Sequence, residues 1–92
     1  MNENTIAAML PMLKIDLGIT SNAYNERLTQ YLTAAVDSIE REGADLDDGI
    51  ESQQIVIMYA AWQWRRRDTG EGMPRMVRYA INNLIFSQKA SE

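Results

Sequence analysis

The chain contains neither cysteine nor histidine among its 92 residues. Without cysteine it has no disulfide, no thiolate metal ligand and no cysteine nucleophile. Without histidine it lacks the usual general base near neutral pH, the commonest metal ligand and the base of a serine-hydrolase triad. No arrangement of lysine, serine or carboxylate side chains suggests another catalytic mechanism. The sequence therefore predicts a protein that acts by contact, not an enzyme, and predicts no cofactor.

Long apolar runs are absent too. The longest, Ile55 to Trp62, is far too short to cross a bilayer, which takes about 20 residues. The first residues, Met1 to Asn4, carry no basic side chain, so they do not resemble a secretory signal. We therefore expect a soluble intracellular product without a membrane partner. The length predicts one domain, over residues 1–92.

Charge is distributed unevenly along the chain. The net charge of −4 argues against nucleic-acid binding as the main role. Residues 1–51 hold ten acidic and three basic side chains, whereas residues 52–92 hold three acidic and six basic ones. One interpretation is a chance distribution over solvated helix faces. The other is that the acidic half of one copy meets the basic half of the next, a contact that can close into a ring.

Apolar residues recur at helical spacing in four segments separated by glycine-containing turns. We predict helices over residues 5–17, 22–42, 52–68 and 74–88, followed by a frayed tail over residues 89–92. The fold class is all-α, a small compact bundle of three to four helices. The second helix is predicted to be long, and the third, apolar on every side, is predicted to be buried.

The ends of these helices carry recognisable signals. Asn4 or Thr5 can cap the first helix, and Ser21 or Asn22 the second. Pro74 suits the first position of the fourth helix. Pro11 falls inside the first helix, where it predicts a kink or a later helix start.

The densest charge feature is the arginine triplet at residues 65–67, accompanied by Arg75 and Arg78. Three interpretations remain open: solvated cations that stabilise a helix C-terminus, a contact with another subunit, or binding to nucleic acid. Successive helical residues point about 100° apart, so at most one or two of the triplet can face the same partner.

Two tryptophans lie next to the triplet and allow either arginine stacking or an exposed aromatic anchor. Trp62 shares a face with Met58 and Tyr59, so we expect it in the core. Trp64 is the better candidate for an interface.

The segment Asp45-Leu46-Asp47-Asp48-Gly49 is acidic, but its spacing does not match a calcium loop. It fits a solvated loop whose acids lie near the positive end of the third helix. The candidate subunit-contact residues are Asp45, Asp47, Asp48, Trp64, Arg65, Arg66, Arg67, Arg75 and Arg78.

Over residues 5–88 the sequence resembles the head–tail connector (adaptor, neck) proteins of tailed bacteriophages and prophages. The resemblance is carried by the long helical segment Tyr24–Glu40, the apolar helix ending in arginines, and the Asn82-Asn83-Leu84 and Phe86-Ser87 motifs. Its most distinctive part is Asp68-Thr69-Gly70-Glu71-Gly72-Met73-Pro74-Arg75-Met76.

The resemblance implies a virion structural protein at the head–tail junction. Such subunits form a ring that docks on the portal protein, extends the DNA channel, helps to retain the genome and binds the next neck or tail protein. It implies no cofactor and no sequence-specific DNA binding. Two alternatives remain open: an interaction module of another assembly, and a small helical DNA-binding or regulatory protein that reads the major groove with Arg75, Arg78 and Asn82.

Overall fold

A computed structural model describes residues 1–90 of the chain, and this part contains four helices and no strand. The helices are α1 (Glu3–Leu17), α2 (Asn25–Arg41), α3 (Ile50–Thr69) and α4 (Arg75–Ala90). The predicted all-α bundle is confirmed.

The centre of the bundle is α3, which packs against each of the other three helices. Its apolar segment is buried almost throughout, from Ile55 to Trp62, with Met58 only partly covered. The prediction of a buried third helix is confirmed. The physical reason is that a helix with apolar residues on every side can remove them all from water only at the centre of the bundle.

The second helix is long, at 17 residues, but shorter than the predicted span of residues 22–42, and α3 is longer still at 20 residues. The predicted start of α2 forms a turn instead. The Ser21 hydroxyl accepts a hydrogen bond from the Ala23 backbone amide at 3.0 Å, and α2 begins only at Asn25. Serine binds nearby backbone amides in this way and so competes with helix formation.

The first helix begins earlier than predicted and runs without interruption through Pro11. Asn2 is its N-cap, and the Asn2 Oδ1 atom accepts a hydrogen bond from the Thr5 backbone amide at 2.9 Å. Pro11 cannot donate to the carbonyl of Ala7. Because both residues are exposed, that carbonyl lies where water can satisfy it.

The fourth helix begins at Arg75, one residue later than predicted, and runs through Ala90, past the predicted end. The predicted frayed tail is therefore helical at residues 89–90, and residues 91–92 lie outside the described part. Val77, Ile81 and Leu84 form its buried stripe. At the start of this stripe Val77 is buried, whereas the neighbouring Met76 is 75% exposed.

Candidate subunit-contact surfaces

The three consecutive arginines at the end of α3 point in different directions. Arg65 donates a hydrogen bond from Nη2 to the backbone carbonyl of Asp16, at the end of α1, at 3.2 Å. Arg66 lies over the Trp62 ring, with its guanidinium carbon 5.1 Å from the ring centre. This divergence follows from the helical rotation of about 100° per residue. The triplet therefore does not form one cationic patch.

The sequence analysis favoured Trp64 as an exposed anchor for an interface. In the structure Trp64 is buried. Only 8% of Trp64 is accessible. The rings of Tyr24 and Tyr31 pack against it in T-shaped contacts, with ring centres 5.7 and 5.4 Å away. Arg67 covers it with its guanidinium carbon 3.8 Å from the ring centre. Tyr24 immediately precedes α2 and Tyr31 lies on α2 one heptad later, a spacing that places both on the side that faces Trp64.

Trp62 lies in the core, as predicted, with 6% of its surface exposed. Its ring meets Tyr59 edge to face, at 5.3 Å between ring centres. Its Nε1 atom donates a hydrogen bond to the backbone carbonyl of Glu71 at 3.2 Å. This bond holds the segment that follows α3 against that helix.

The two arginines of α4 differ in their surroundings. Arg78 is partly buried and forms an ion pair with Glu42, just after α2. Arg75 is exposed, and within residues 1–90 no hydrogen bond or ion pair engages its side chain. Arg75 therefore presents its charge to solvent, whereas the charge of Arg78 is matched inside the chain.

Asp47 acts within its own chain, at the start of α3. Its Oδ1 atom accepts hydrogen bonds from the Gly49 backbone amide at 2.8 Å and from the hydroxyl of Ser52 at 3.0 Å. Ser52 is buried, so this bond satisfies a polar group that would otherwise destabilise the core. Across residues 1–90, no group of three acidic side chains is arranged to hold a metal ion.

Asp48 binds the first residues of the chain. Its two carboxylate oxygens accept hydrogen bonds from Asn2, from the backbone amide at 3.2 Å and from Nδ2 at 3.3 Å. Hydrogen bonding by the Thr5 side chain and by the Asn2 backbone, with the nearby N-terminal ammonium, lowers the pKa of Asp48 below its ordinary value of 3.8.

Asp45 is tied to α4 through its backbone. The Asp45 amide donates to Oε1 of Gln88 at 2.8 Å, and Nε2 of Gln88 donates to the Asp45 carbonyl at 2.6 Å. This two-point contact holds the loop before α3 against the end of α4. Sequence analysis missed Gln88, because a glutamine near a helix end carries no signal for a partner 43 residues away.

The acidic loop and the arginine triplet lie at opposite ends of α3. A helix of 20 residues is about 30 Å long, so the structure does not bring the two groups together within one subunit. Because of this separation, the acidic loop and the arginine triplet could contact each other only between different copies of the chain. Whether these residues form a subunit contact stays a prediction.

A row of large apolar side chains on α4 faces outward, and sequence analysis missed it. Met76, Tyr79 and Phe86 are 75%, 60% and 70% exposed. At about 100° per residue they lie within about 80° of one another, on the far side of the helix from its buried stripe. The signal was present in the sequence, since these residues remain after one apolar stripe has been assigned to the core.

A second uncharged surface lies on the outward face of α1. It consists of exposed residues that are mostly small, with a larger pair toward the helix end: Ala7, Ala8, Pro11, Met12 and Ile15. Met12 and Ile15 are 48% and 79% exposed. Beside Met12, a shallow groove of about 300 Å³ runs between α1 and α3.

Comparison with protein-family models, with curated proteins and with solved structures finds no match for this chain. Within the part that the structure describes, no helix has the length and apolar character needed to cross a membrane.

Proposed function

We propose that this chain is a structural virion protein: a ring-forming head–tail connector subunit that docks on the portal, extends the DNA channel and joins head to tail. The sequence resemblance supports the proposal over residues 5–88. Its partners are further copies of itself, the portal protein, and the next neck or tail protein. It needs no cofactor, and it resides in the virion at the head–tail junction after assembly from the host cytoplasm.

The outward row on α4 is the observation that carries the proposal. Met76, Tyr79 and Phe86 expose most of their surface on one side of a helix whose other side is fully used by the core. Isolated exposed apolar residues are ordinary, but a row of them along one face is typical of a surface that contacts another protein. A subunit whose role is assembly requires such a surface.

The charge of the chain is compatible with a DNA channel. A net charge of −4 disfavours tight binding to phosphates, so DNA can slide past without being held. Among the five arginines at the end of α3 and the start of α4, four contact groups of their own chain, although the triplet itself remains exposed, and Arg75 makes no such contact. The same observation weakens the DNA-binding alternative, since Arg78 is already paired with Glu42.

The outward apolar row would also suit an interaction module of another assembly. The two functions differ in the oligomer that they predict. A module would bind one partner and remain a monomer or a dimer by itself. A connector subunit would form closed rings of one size. The stoichiometry of assembly therefore separates the two functions.

The test is solution mass by light scattering over a concentration series, with negative-stain imaging of every large species. The series is repeated with the portal protein encoded in the same genome, because the portal can act as a template. Closed rings of uniform size, alone or on the portal, are the expected result. A chain that remains monomeric under both conditions contradicts the proposal.

A further inference from the structure

We infer that α1 packs against α1 of a second copy in an antiparallel, two-fold contact along the groove between α1 and α2. The contact joins two copies into a dimer and is separate from the ring contact of the proposed function. A two-fold contact uses the same surface of both copies, so by itself it cannot extend into a ring. The inference goes beyond the proposed function and does not depend on it.

The groove consists of two cavities that meet at Leu10. One cavity, of about 300 Å³, lies beside Glu3 and the α2 residues Thr29 and Thr33. The other cavity, of about 360 Å³, lies beside Lys14. Between the two charged residues the wall that α1 contributes is apolar, and its lining residues are Ile6, Ala7, Leu10 and Pro11. A partner that covers this wall removes apolar surface from water.

The hydroxyl groups along the α2 wall already donate within the chain. The Thr29 hydroxyl donates a hydrogen bond to the backbone carbonyl of Asn25 at 2.9 Å. The Thr33 hydroxyl donates to the backbone carbonyl of Thr29 at 3.1 Å. A partner can therefore cover the two threonines without leaving a buried hydroxyl proton unpaired, which would weaken the contact.

Four residues of α1 form a row along this groove, which we call the α1 seam: Glu3, Ala7, Leu10 and Lys14. They are spaced by four, three and four residues and fall within about 60° of one another on the helix. This is the spacing at which one helix packs along another in a coiled coil. Glu3 and Lys14, at the two ends of the seam, differ by only about 20° in direction and lie about 16 Å apart along the helix.

An antiparallel second copy matches the α1 seam in one register. With the two-fold axis midway between residues 8 and 9, Glu3 faces Lys14 of the second copy, and Ala7 faces Leu10 of the second copy. The symmetry repeats both matches on the other side of the axis. At every position of the seam an acid then meets a base, or a small side chain meets a large one, and these matches set the register.

The direction of packing also follows from the charges. A parallel second copy would place Glu3 against Glu3 and Lys14 against Lys14, and the like charges would repel each other. In the antiparallel arrangement the positive N-terminal end of one helix lies beside the negative C-terminal end of the other, which is the favourable alignment of two helix dipoles.

Both charged ends of the α1 seam are available to a second copy. Glu3 is exposed, and across residues 1–90 no hydrogen bond or ion pair engages its carboxylate. The Lys14 ammonium donates a hydrogen bond to Oδ1 of Asn22 at 2.9 Å, which holds it at the end of the groove. An ammonium has three donors, so two remain for the carboxylate of the second copy.

Sedimentation equilibrium should show a dimer of the wild-type chain at concentrations below those at which any ring forms. Ala7→Lys places a long charged side chain where Leu10 of the second copy must approach, so this variant should remain a monomer. The matched control is Ala8→Lys, the same change at the next residue, about 130° from the centre of the seam. It should dimerise like the wild-type chain. Both alanines are exposed, so both variants should keep the helical circular dichroism of the wild type.

Exchange of the end charges tests the register. Glu3→Lys and Lys14→Glu each place like charges at both ends of the contact, and each should weaken dimerisation about tenfold or more. Mixed in equal amounts, the two variants restore both opposite-charge matches and should form a one-to-one heterodimer. The control is Glu51→Lys, the same reversal in the first turn of α3, which should dimerise like the wild-type chain.

A wild-type chain that stays monomeric overturns the inference, as does a dimer that Ala7→Lys leaves intact or a mixture that forms no heterodimer. Ala7→Lys should still form rings on the portal, since the ring contact is separate, and loss of those rings would also overturn the inference. The proposed function is decided by rings of the wild-type chain on the portal. If they do not form, the proposed function fails and the dimer stands.

Discussion

At the scale of single residues, the environment of a side chain depends on the partners that distant parts of the chain bring to it. Trp62 and Trp64 are separated by one residue, yet they pack in different environments. Trp62 contacts Tyr59 of its own helix and the Glu71 carbonyl, whereas Trp64 packs against two tyrosines, one just before α2 and one on it. Arginines cover both rings, which is the stacking alternative that the sequence had left open.

Replacing Trp64 with alanine should lower the free energy of unfolding by about 3–5 kcal/mol, since a large buried ring is lost and a cavity remains. Urea denaturation of the monomer, followed by circular dichroism, measures the change. The matched control is Phe86→Ala, an aromatic residue that is 70% exposed, which should change the free energy by less than about 0.5 kcal/mol. Equal effects of the two substitutions would contradict the burial of Trp64.

Asp48 should contribute a pH-dependent part of the stability. Its folded-state pKa is lowered, so the unfolded chain binds its proton more readily, and the contribution is present above the ordinary value of 3.8. It is lost as the pH falls below that value and through the folded pKa. In Asp48→Asn, the free energy of unfolding should therefore decrease less steeply on acidification than in the wild-type chain.

The control for this titration is Asp45→Asn, which removes a charge from the same loop and leaves the Asn2 contacts of Asp48 in place. Its stability should fall with acidification as the wild-type stability does. A wild-type slope in Asp48→Asn would show that the contact with Asn2 does not stabilise the folded chain.

At the scale of helices, α4 makes its main packing contact with α3. Besides its buried stripe, α4 has the Gln88 contact with the Asp45 backbone and the ion pair of Arg78 with Glu42. An exposed ion pair contributes little, about 0–1 kcal/mol. The glutamine therefore matters more to how α4 is positioned, and with it to the direction in which the outward row faces.

Replacing Gln88 with alanine should remove two hydrogen bonds and lower the free energy of unfolding by about 1–2 kcal/mol. Amide hydrogen exchange should show faster exchange at Asp45 and along the last turns of α4, with α2 and α3 unchanged. Asn83→Ala, at an exposed position on the outward side of the same helix, is the control and should leave the exchange pattern as it is. If the Asp45 amide exchanges at the same rate in Gln88→Ala as in the wild-type chain, the contact does not form in solution.

At the scale of the whole molecule, the distribution of charge and apolar surface decides what the chain can bind. The arginines that make the second half of the sequence basic are mostly engaged with their own chain. The acids Asp47 and Asp48 are engaged in the same way at the other end of α3. The outward faces of α1 and α4 carry no charge in their middle.

We expect no binding to duplex DNA at micromolar protein and low salt, where phosphate contacts are strongest. The physical reason is the net charge of −4 together with the pairing of Arg78 to Glu42. A gel-shift titration measures this, with Arg75→Ala as a companion variant. A salt-dependent shift that Arg75→Ala weakens would favour the DNA-binding alternative over the connector.

The sequence by itself determined the number of helices, the burial of α3 and most of the inward stripe of each helix. These follow from local periodicity, which depends only on which residues recur every three to four positions. The helix ends moved by up to three residues, because hydrogen bonds such as those of Asn2 and Ser21 decide among several capping side chains.

The tertiary structure alone decided the candidate site. The exposure of Trp64 depends on tyrosines more than 30 residues away, and the charge that Arg78 presents depends on Glu42. Periodicity leaves Tyr79 and Phe86 outside the inward stripe of α4, but only the packing of the helices decides that they are exposed. Contacts between distant parts of the chain determine which side chains reach solvent, and local spacing does not contain that information.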